Sequence, residues 1–306
     1  MTARPVRNLP ASIHRRLLNR ARETSRRFDD VLYYYAAERW LYRLSRSQHA
    51  GEFILKGALL LRAWDAPVFR PTRDIDLLAR TSNDLDSIAR IVAEICETVV
   101  EEDGLLFHAD TVRTERIAED ADYHGVRACF QASLGKARIP MQVDMGFSDI
   151  IVPGPVGISY PTTLAQPAPH LASYSRESTI AEKFEAMVKL EELNSRMKDF
   201  FDIWALSSGF PFDGGVLAAA VSTTFSRRQT PLVPDPTCLR DTFGRNAIKM
   251  AQWSAFAGKL ELGDKTTFVE IVRKIRQFLA PIASALAEQR TFALYWAPGG
   301  PWQTEA

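Results

Sequence analysis

RPTRDIDLLA, the sequence of residues 70–79, decides the predicted fold of this chain. Pro71 marks a turn, and the alternation of polar and apolar residues after it predicts a β-strand. Side chains two positions apart on a strand project from the same face, so Asp74 and Asp76 lie about 6–7 Å apart on one face. Ile75 and Leu77 point the other way, into a predicted core.

Two unpaired carboxylates side by side repel each other, and a divalent cation relieves that repulsion. Mg²⁺ prefers one or two carboxylates together with phosphate oxygens of a substrate. We therefore predict that Asp74 and Asp76 form a metal-binding pair that acts in catalysis. The alternative is that both acids face solvent on a half-exposed strand, because a D-x-D pattern is short and common.

A third carboxylate strengthens the first interpretation. The apolar residues of segment 138–147 alternate and share one face, whereas Asp144 lies on the other. If this segment pairs beside the first strand, Asp144 joins Asp74 and Asp76 as a third metal ligand. Three carboxylates on neighbouring strands resemble a two-metal phosphoryl-transfer site.

Candidate phosphate-binding residues lie just upstream of these acids. Lys56 and Gly57 end a short apolar segment, and a helix is predicted to begin after them. A helix N-terminus offers free N–H groups, and Gly57 lets the backbone approach a phosphate closely. Thr72 and Arg73 add a hydroxyl and a guanidinium, so these four residues are the predicted NTP-binding set. An ordinary turn glycine at position 57 is the alternative.

The helical second half of the chain contributes Lys183, which borders the apolar stripe of its helix. A lysine that points inward loses hydration and needs an anionic partner, for which Asp74, Asp76 or a triphosphate would serve. The alternative is a lysine that reaches solvent along the helix edge.

Two further acids, Asp199 and Asp202, share one face of the following helix at i, i+3 spacing. They are candidate catalytic acids. Surface pairing with Arg196 and Lys198 is the alternative, since pairs of this kind are common and contribute only about 0.2–0.5 kcal/mol.

The bulk composition restricts the partners. Lys and Arg number 38 against 37 Asp and Glu, so the net charge of +1 gives no global attraction to nucleic acid or acidic membrane. Basic charge is concentrated near the start, where residues 1–30 hold eight arginines and three acids. We consider this basic helix a candidate for RNA phosphate contact, with a solvated helix face as the alternative.

Other classes of protein find no support. The three cysteines lack CxxC spacing and the five histidines are dispersed, which predicts reduced thiols and no zinc site. No stretch approaches the roughly 20 apolar residues that cross a bilayer, and the N-terminus lacks the apolar run of a signal peptide. We expect a cytoplasmic protein with no membrane partner.

The predicted fold class is α+β. Strands near 111–117, 125–134 and 138–147 read as an antiparallel meander beside the acidic strand. Five prolines in the 153–175 region are predicted to prevent regular structure there, and the C-terminal tail is predicted to be loosely ordered. The predicted domains are N-terminal basic helices (1–50), a core (51–152), a proline-rich linker (153–175) and a helical C-terminal lobe (176–306).

As an ordered set, these motifs resemble the AbiEii/AbiGii family of nucleotidyltransferase-like toxins, which includes the mycobacterial MenT toxins. The resemblance runs from about residue 9 to residue 206. It is carried by Lys56-Gly57-Ala58, by RPTRDID at 70–76, by QVDMG around Asp144, by EKFEAM at 182–187 and by NSRMKDFFD at 194–202.

The resemblance implies a DNA polymerase β-like nucleotidyltransferase core with a mixed sheet and a helical C-terminal lobe. It implies an NTP substrate, Mg²⁺ as cofactor and a cognate antitoxin as partner. It further implies an RNA acceptor, the 3′ end of tRNA, whose modification blocks translation. By motif, Thr72 is the hydroxyl residue beside the first metal acid, Lys183 contacts phosphate, and Asp199 or Asp202 is the late acid.

One departure concerns the phosphate grip, because many nucleotidyltransferases have Gly-Ser or Gly-Gly where this chain has Gly57-Ala58. The loss of a serine hydroxyl removes one phosphate donor. Two alternative functions remain open at this point: transfer to a protein acceptor, and a non-catalytic module that binds nucleotide or antitoxin.

Overall fold

The chain folds into two compact units in a computed structural model, which describes residues 8–66, 70–120, 123–260 and 266–304. The first unit consists of Met1–Ala63, Pro71–Ser148 and Val156–Ser173. The second consists of Trp64–Arg70, Asp149–Pro155 and Tyr174–Ala306. Two short pieces of the predicted core and linker therefore belong to the second unit.

The first unit is built on a seven-stranded sheet with the order β3-β4-β5-β2-β1-β7-β6. The pairs β2–β5 and β1–β7 are parallel and the other neighbours are antiparallel, so the predicted α+β class with a mixed sheet is confirmed. The elements are α1 (Leu9–Glu23), α2 (Phe28–Arg46), β1 (Phe53–Lys56), α3 (Leu59–Ala63), β2 (Ile75–Ala79), α4 (Leu85–Glu97), β3 (Leu105–Asp120), β4 (Tyr123–Leu134), β5 (Ala137–Gly146), β6 (Val156–Ser159) and β7 (His170–Ser173).

The two N-terminal helices differ in burial. Helix α1 begins after Asn8, whose side chain accepts a hydrogen bond from the Ala11 N–H and so caps the helix. It buries only one apolar stripe, at Ile13, Leu17 and Ala21. Helix α2 is buried along most of its length, as its apolar composition predicts. The most exposed surface of this region is therefore the polar face of α1.

The proline-rich segment does not lack regular structure, so that prediction is wrong. It contains β6 and β7, which pair with each other, and Leu55 on β1 pairs with Ser173 on β7. The prolines lie outside the strands. Pro155 directly precedes β6 and Pro169 directly precedes β7, while Pro161 follows β6 after one residue. Because no proline occupies a ladder position, none removes a sheet hydrogen bond.

The second unit is helical, with a small three-stranded sheet of order β10-β9-β8. The predicted loose tail is instead packed, because Trp302 stacks on Phe278 and donates its indole N–H to the Phe278 carbonyl. Among the described residues, no helix combines the length and apolar character that crossing a membrane demands. The elements are α5 (Arg176–Leu190), α6 (Met197–Gly209), β8 (Phe212–Asp213), α7 (Gly214–Arg227), α8 (Asp241–Gly244), α9 (Ala247–Gly258), α10 (Phe268–Ala287), β9 (Tyr295–Trp296) and β10 (Trp302–Gln303).

Candidate active site

A row of charged residues crosses the sheet of the first unit at Asp76. Asp76 on β2 pairs in register with Asp144 on β5 and with Lys56 on β1, and Asp144 pairs in turn with Arg127 on β4. Residues that oppose each other on neighbouring strands share a face. The prediction that Asp144 lies beside the acids of β2 on one face of the sheet is therefore confirmed by the register.

The opposite face of these strands is the core. Ile75, Leu77, Val143 and Met145 are each at most 1% exposed, whereas Asp74, Asp76, Asp144 and Gln142 keep partial exposure. The alternation that the sequence predicted thus separates an apolar face from a polar face on both strands.

The backbone of Gly57 lies directly against the carboxylate of Asp76. This backbone has a φ of +75°, which L side chains rarely adopt, and a Cβ at this position would overlap the carboxylate and Cβ of Asp76. Glycine is therefore required here by the close approach of Asp76 to the backbone. The predicted reason, the approach of a phosphate, remains a prediction.

Asp144 is bound by an arginine that the sequence did not indicate. Arg127 donates from Nε and Nη2 to the two oxygens of Asp144, each at 2.8 Å, in a bidentate pair. This hydrogen-bonded carboxylate raises the pKa of Arg127 above its ordinary value. Asp144 is therefore neutralised by a permanent cation.

Gln142 links Asp74 to Asp144. Its side-chain amide donates to Asp74 Oδ1 at 3.0 Å and to the two oxygens of Asp144 at 3.1 and 3.2 Å. A neutral donor of this kind orients a carboxylate but leaves its charge in place. The amide thus orients one oxygen of Asp74 without neutralising the negative charge of its carboxylate.

These contacts decide which acids fit a divalent cation. In the described part of the chain, no three Asp, Glu, His or Cys residues are arranged as a metal site. The predicted three-carboxylate set does not form, because Arg127 engages Asp144. Asp76 on β2 and Asp74, which directly precedes β2, are together called the β2 acids, and two carboxylates are sufficient for Mg²⁺ that also binds substrate phosphates.

The turn before β2 is held by two tyrosines of α2. The Tyr33 hydroxyl donates to the Arg73 carbonyl, and the Tyr34 hydroxyl accepts from the Thr72 N–H at 3.1 Å. Burial raises the pKa of Tyr33 well above its ordinary value, and the charges of Asp74 and Asp76 raise it further. Tyr33 therefore carries a neutral hydroxyl, and the negative charges of both acids oppose its ionisation.

Thr72 and Arg73 have local partners. The Thr72 hydroxyl accepts from the Asp74 N–H at 3.4 Å, and the half-exposed Arg73 forms an ion pair with Asp30 at 3.2 Å. Helix α3, which follows Gly57, has only five residues, so the predicted contribution of a helix dipole is small. Any phosphate grip here depends on side chains and on the Gly57 backbone.

The second unit contains a separate cluster around Lys183. Lys183 Nζ lies 3.2 Å from Asp199 Oδ1 and 2.7 Å from Asp202 Oδ2. Arg70 donates to both oxygens of Asp202 at 3.0 and 3.1 Å, and Arg196 lies 2.6 Å from Asp199. The inward lysine that the sequence predicted thus has Asp199 and Asp202 as anionic partners, in place of Asp74 or Asp76.

Both acids of this cluster are fully buried, so they are not surface pairs, although the Arg196–Asp199 pair at i, i+3 does form. Burial would lower the pKa of Lys183, but the charges of Asp202 and Asp199 outweigh it and raise that pKa. Burial opposes ionisation of Asp202, and Lys183 and Arg70 overcome it, so the pKa of Asp202 is lowered. Three cations therefore surround two carboxylates, which gives the cluster an excess positive charge.

The basic N-terminal helix is exposed as predicted. Six arginines of the α1 region lie on the surface, at positions 15, 16, 20, 22, 26 and 27. Arg20 pairs weakly with Glu23 at 3.5 Å, and both side chains are more than half exposed. These arginines form a local cationic surface on a chain of almost neutral net charge.

Sequence reasoning missed several residues around these clusters, among them Arg127, Tyr33 and Arg70. Arg127 lies 17 positions from Asp144, Tyr33 lies more than 40 positions from Asp76, and Arg70 lies 132 positions from Asp202. The sequence did contain a local signal for two of them. Arg70 is the first residue of the RPTRDID motif, and Tyr33 is the first of three consecutive tyrosines. Arg127 had no such signal, because cross-strand register decides its partner.

Comparison with known proteins places the chain in a family. The family model described as "Nucleotidyl transferase AbiEii toxin, Type IV TA system" matches residues 39–280. This range includes the acids of β2, Asp144 and the Lys183 cluster. No curated protein sequence matches the chain.

Two solved structures are similar to the chain at low sequence identity. JHP933 from Helicobacter pylori is 13% identical with a TM-score of 0.44, over 82% of this chain and 89% of that chain. A proposed nucleotidyltransferase from H. pylori is 12% identical with a TM-score of 0.43, over 82% of this chain and 92% of that chain.

Proposed function

The chain belongs to the AbiEii nucleotidyl transferase toxin family of type IV toxin–antitoxin systems, and on this premise we propose that it transfers NMP from an NTP to the 3′ end of an RNA acceptor, tRNA, and so blocks translation. Membership of such a family implies an antitoxin partner. The observation that carries the proposal is that Asp74, just before β2, and Asp76, on β2, lie at one place on the sheet, where Gln142 and Asp144 contact or pair with them and Gly57 lies against the Asp76 carboxylate.

Asp74 and Asp76 would hold Mg²⁺. When bound, Mg²⁺ supplies positive charge to the phosphate oxygens and reduces their repulsion of an attacking hydroxyl. Gln142 keeps Asp74 oriented, and Gly57 leaves room for the Asp76 carboxylate. Arg127 pairs with both oxygens of Asp144, so Asp144 has a close positive partner of its own.

The triphosphate is proposed to bind Lys56, the Gly57 N–H, Thr72 and Arg73. Tyr33 and Tyr34 hold the backbone of this turn, which positions Thr72 and Arg73 beside the acids. In the reaction the acceptor hydroxyl oxygen bonds to the α-phosphorus. The bond from that phosphorus to the bridging oxygen breaks, pyrophosphate leaves and the hydroxyl proton passes to water.

Lys183 is proposed to contact substrate phosphate. The role of Asp199 and Asp202 is to keep this buried lysine protonated, because their charges raise its pKa. The excess positive charge of the cluster favours an anionic oxygen. These two acids are thus positioning residues for Lys183.

The test is label transfer from α-phosphate-labelled NTPs to total tRNA with Mg²⁺. The wild-type protein is expected to label RNA, and Asp74→Asn and Asp76→Asn are each expected to lower the rate by about 10³-fold or more. Asp86→Asn, which removes an exposed acid on α4, serves as the matched control and should keep the wild-type rate.

The nature of the product separates the alternatives. Product that is destroyed by ribonuclease supports RNA as the acceptor, and product that is destroyed only by protease contradicts it. Transfer that survives Asp76→Asn at the wild-type rate would contradict the assignment of the acids. The absence of transfer from all four NTPs, with NTP binding intact, would favour a non-catalytic module.

A further inference from the structure

A second feature of the first unit is a groove on the sheet face that carries the acids, with several polar side chains in its lining. It has a volume of about 840 Å³ and is formed by β3, β4 and the turn into β5. The residues that line it are His108, Thr111, Gln131, Ala132, Ser133, Gly135, Lys136 and Arg138. No residue of the proposed reaction is among them.

The groove exists because β3 is irregular. His108 pairs with Gln131, but the next registered pair is Arg113 with Cys129, so β3 carries extra residues between these points. Thr111 lies in this bulge, where its hydroxyl accepts from the Gln131 N–H at 3.0 Å and donates to the His108 carbonyl at 2.6 Å. The hydrogen-bonded bulge therefore forms one side of the groove.

Strand register places the groove on the same face as the acids. Gln131 lies two residues from Cys129, which pairs with Gln142, and Gln142 contacts Asp74. Side chains two positions apart share a face. From Arg138 to Asp144 is six residues of β5, or about 20 Å of strand. Solvent-accessible positions of β4 and β5, including Cys129 and Pro140, therefore connect the groove to the acids along one sheet face.

The charge of the groove is positive. Lys136 and Arg138 are exposed, and neither makes an ion pair with any residue that the structure describes. The described lining residues include no carboxylate, and Gln131 and Ser133 add neutral hydrogen-bonding groups. Unpaired cations beside neutral donors, on a nearly neutral chain, are complementary to a phosphate backbone.

We propose that this groove binds the phosphates of the unpaired 3′ end of the acceptor RNA and guides its terminal hydroxyl along the sheet face toward Asp74 and Asp76. The inference rests on the proposed function for its acceptor class. An unpaired strand fits because a few flexible nucleotides can follow the narrow path along β4 and β5. Lys136 and Arg138 contact phosphate and take no part in the reaction itself.

The test compares Lys136→Gln/Arg138→Gln with Arg46→Gln/Arg80→Gln. The control pair removes the same charge from exposed positions of the first unit outside the groove. The probes are total tRNA, for transfer, and a fluorescent single-stranded RNA with a free 3′ hydroxyl, for anisotropy. Thermal unfolding checks that both variants keep the wild-type fold.

The groove variant is expected to bind the single-stranded RNA about tenfold more weakly than the wild type, and its KM for tRNA should rise by a similar factor. Its kcat at saturating tRNA and its KM for NTP should not change. The slope of log K against log salt should fall by about 1.4, since each single-strand phosphate contact contributes about 0.7. The control variant should match the wild type.

Equal RNA affinity and equal salt slope in the groove and control variants would overturn the inference, whether or not transfer occurs. Binding of the protein to blunt duplex RNA as tightly as to the single strand would also overturn it. Because anisotropy needs no turnover, a wild type without transfer activity tests the proposed function alone. A groove-dependent loss of RNA binding in that case would still support the groove.

Discussion

The two charged clusters of this protein contain the same kinds of residue with opposite balance. On the sheet face of the first unit, Asp74, Asp76 and Asp144 are accompanied in their rows by two cations, Arg127 and Lys56. In the second unit, two carboxylates are surrounded by Lys183, Arg70 and Arg196. The first cluster carries an excess of negative charge, and the second an excess of positive charge.

The two clusters also differ in solvent exposure. Asp74 and Asp76 keep partial exposure, whereas Asp199 and Asp202 have none. A half-exposed acid with an orienting amide can exchange its partner for a metal ion at low cost. A buried acid that holds two cations cannot leave them without stranding charge in the interior. The comparison supports our proposals that the first cluster takes part in the reaction and that the second holds Lys183 in place.

The largest expected difference is in stability. Asp202→Asn leaves Lys183 and Arg70 without their shared carboxylate, and removal of one partner from a buried ion pair costs about 3–5 kcal/mol. Asp74→Asn should change the free energy of unfolding by less than about 1 kcal/mol, because Asp74 is half-exposed and its described side-chain contact is with the neutral Gln142. Chemical denaturation of both variants measures the two values. Equal losses of unfolding free energy in the two variants would contradict the proposed difference between the clusters.

Glu38 sharpens the comparison because it is buried and the nearest cation in the described part of the chain is 3.8 Å away. Its carboxylate accepts from the Thr163 N–H and hydroxyl at 2.8–3.0 Å, while Arg62 lies 3.8 Å away. Burial raises the pKa of Glu38 to about 7, against the favourable effects of Arg62 and Thr163. Asp202, equally buried beside two close cations, has its pKa lowered.

The sign of the Glu38 effect follows from linkage. Its pKa is higher in the folded state than its ordinary value of 4.5, so the folded protein binds more protons between pH 4.5 and about 7. This residue therefore lowers the free energy of unfolding by about 1.4 kcal/mol for each unit of rising pH in that window. Glu38→Gln should flatten the profile there, as measured by urea titration at several pH values. A variant profile parallel to that of the wild type would contradict the shift.

Gly57→Ala tests whether the position of the Asp76 carboxylate matters for the first cluster. The substitution forces a side chain into the space of the Asp76 carboxylate at a φ of +75°, and strain of this kind costs about 1–3 kcal/mol. We expect a larger fractional loss of label transfer than of stability, because Asp76 must move. Gly51→Ala, at an open position nearby in the chain, is the control. Full transfer activity in Gly57→Ala would show that the position of Asp76 is not critical.

Local pattern was enough to predict part of this site. Alternation placed Asp74 and Asp76 on one face of β2 and Asp144 on the polar face of β5, since period-two patterning depends only on neighbours in the chain. It did not give the bidentate partner of Asp144, because pairing of β4 with β5 brings Arg127 there. The predicted third metal ligand was thus lost to a contact that no local pattern encodes.

The proline-rich segment teaches the complementary lesson. Proline count predicted an irregular linker, yet β6 lies between Pro155 and Pro161, β7 follows Pro169, and both strands extend the main sheet. Composition over 20 residues does not resolve strands of four residues. For Lys183, by contrast, the amphipathic pattern correctly implied an inward lysine that needs an anion, but it could not identify Asp199 and Asp202 as the partners.

The most direct test of the central claim is to count bound Mn²⁺ per chain by electron paramagnetic resonance, with a non-hydrolysable NTP analogue present. The wild type should bind Mn²⁺, and Asp74→Asn/Asp76→Asn should lose that binding while its circular dichroism spectrum is unchanged. Undiminished Mn²⁺ binding by this folded double variant would contradict the assignment of the β2 acids as the metal pair.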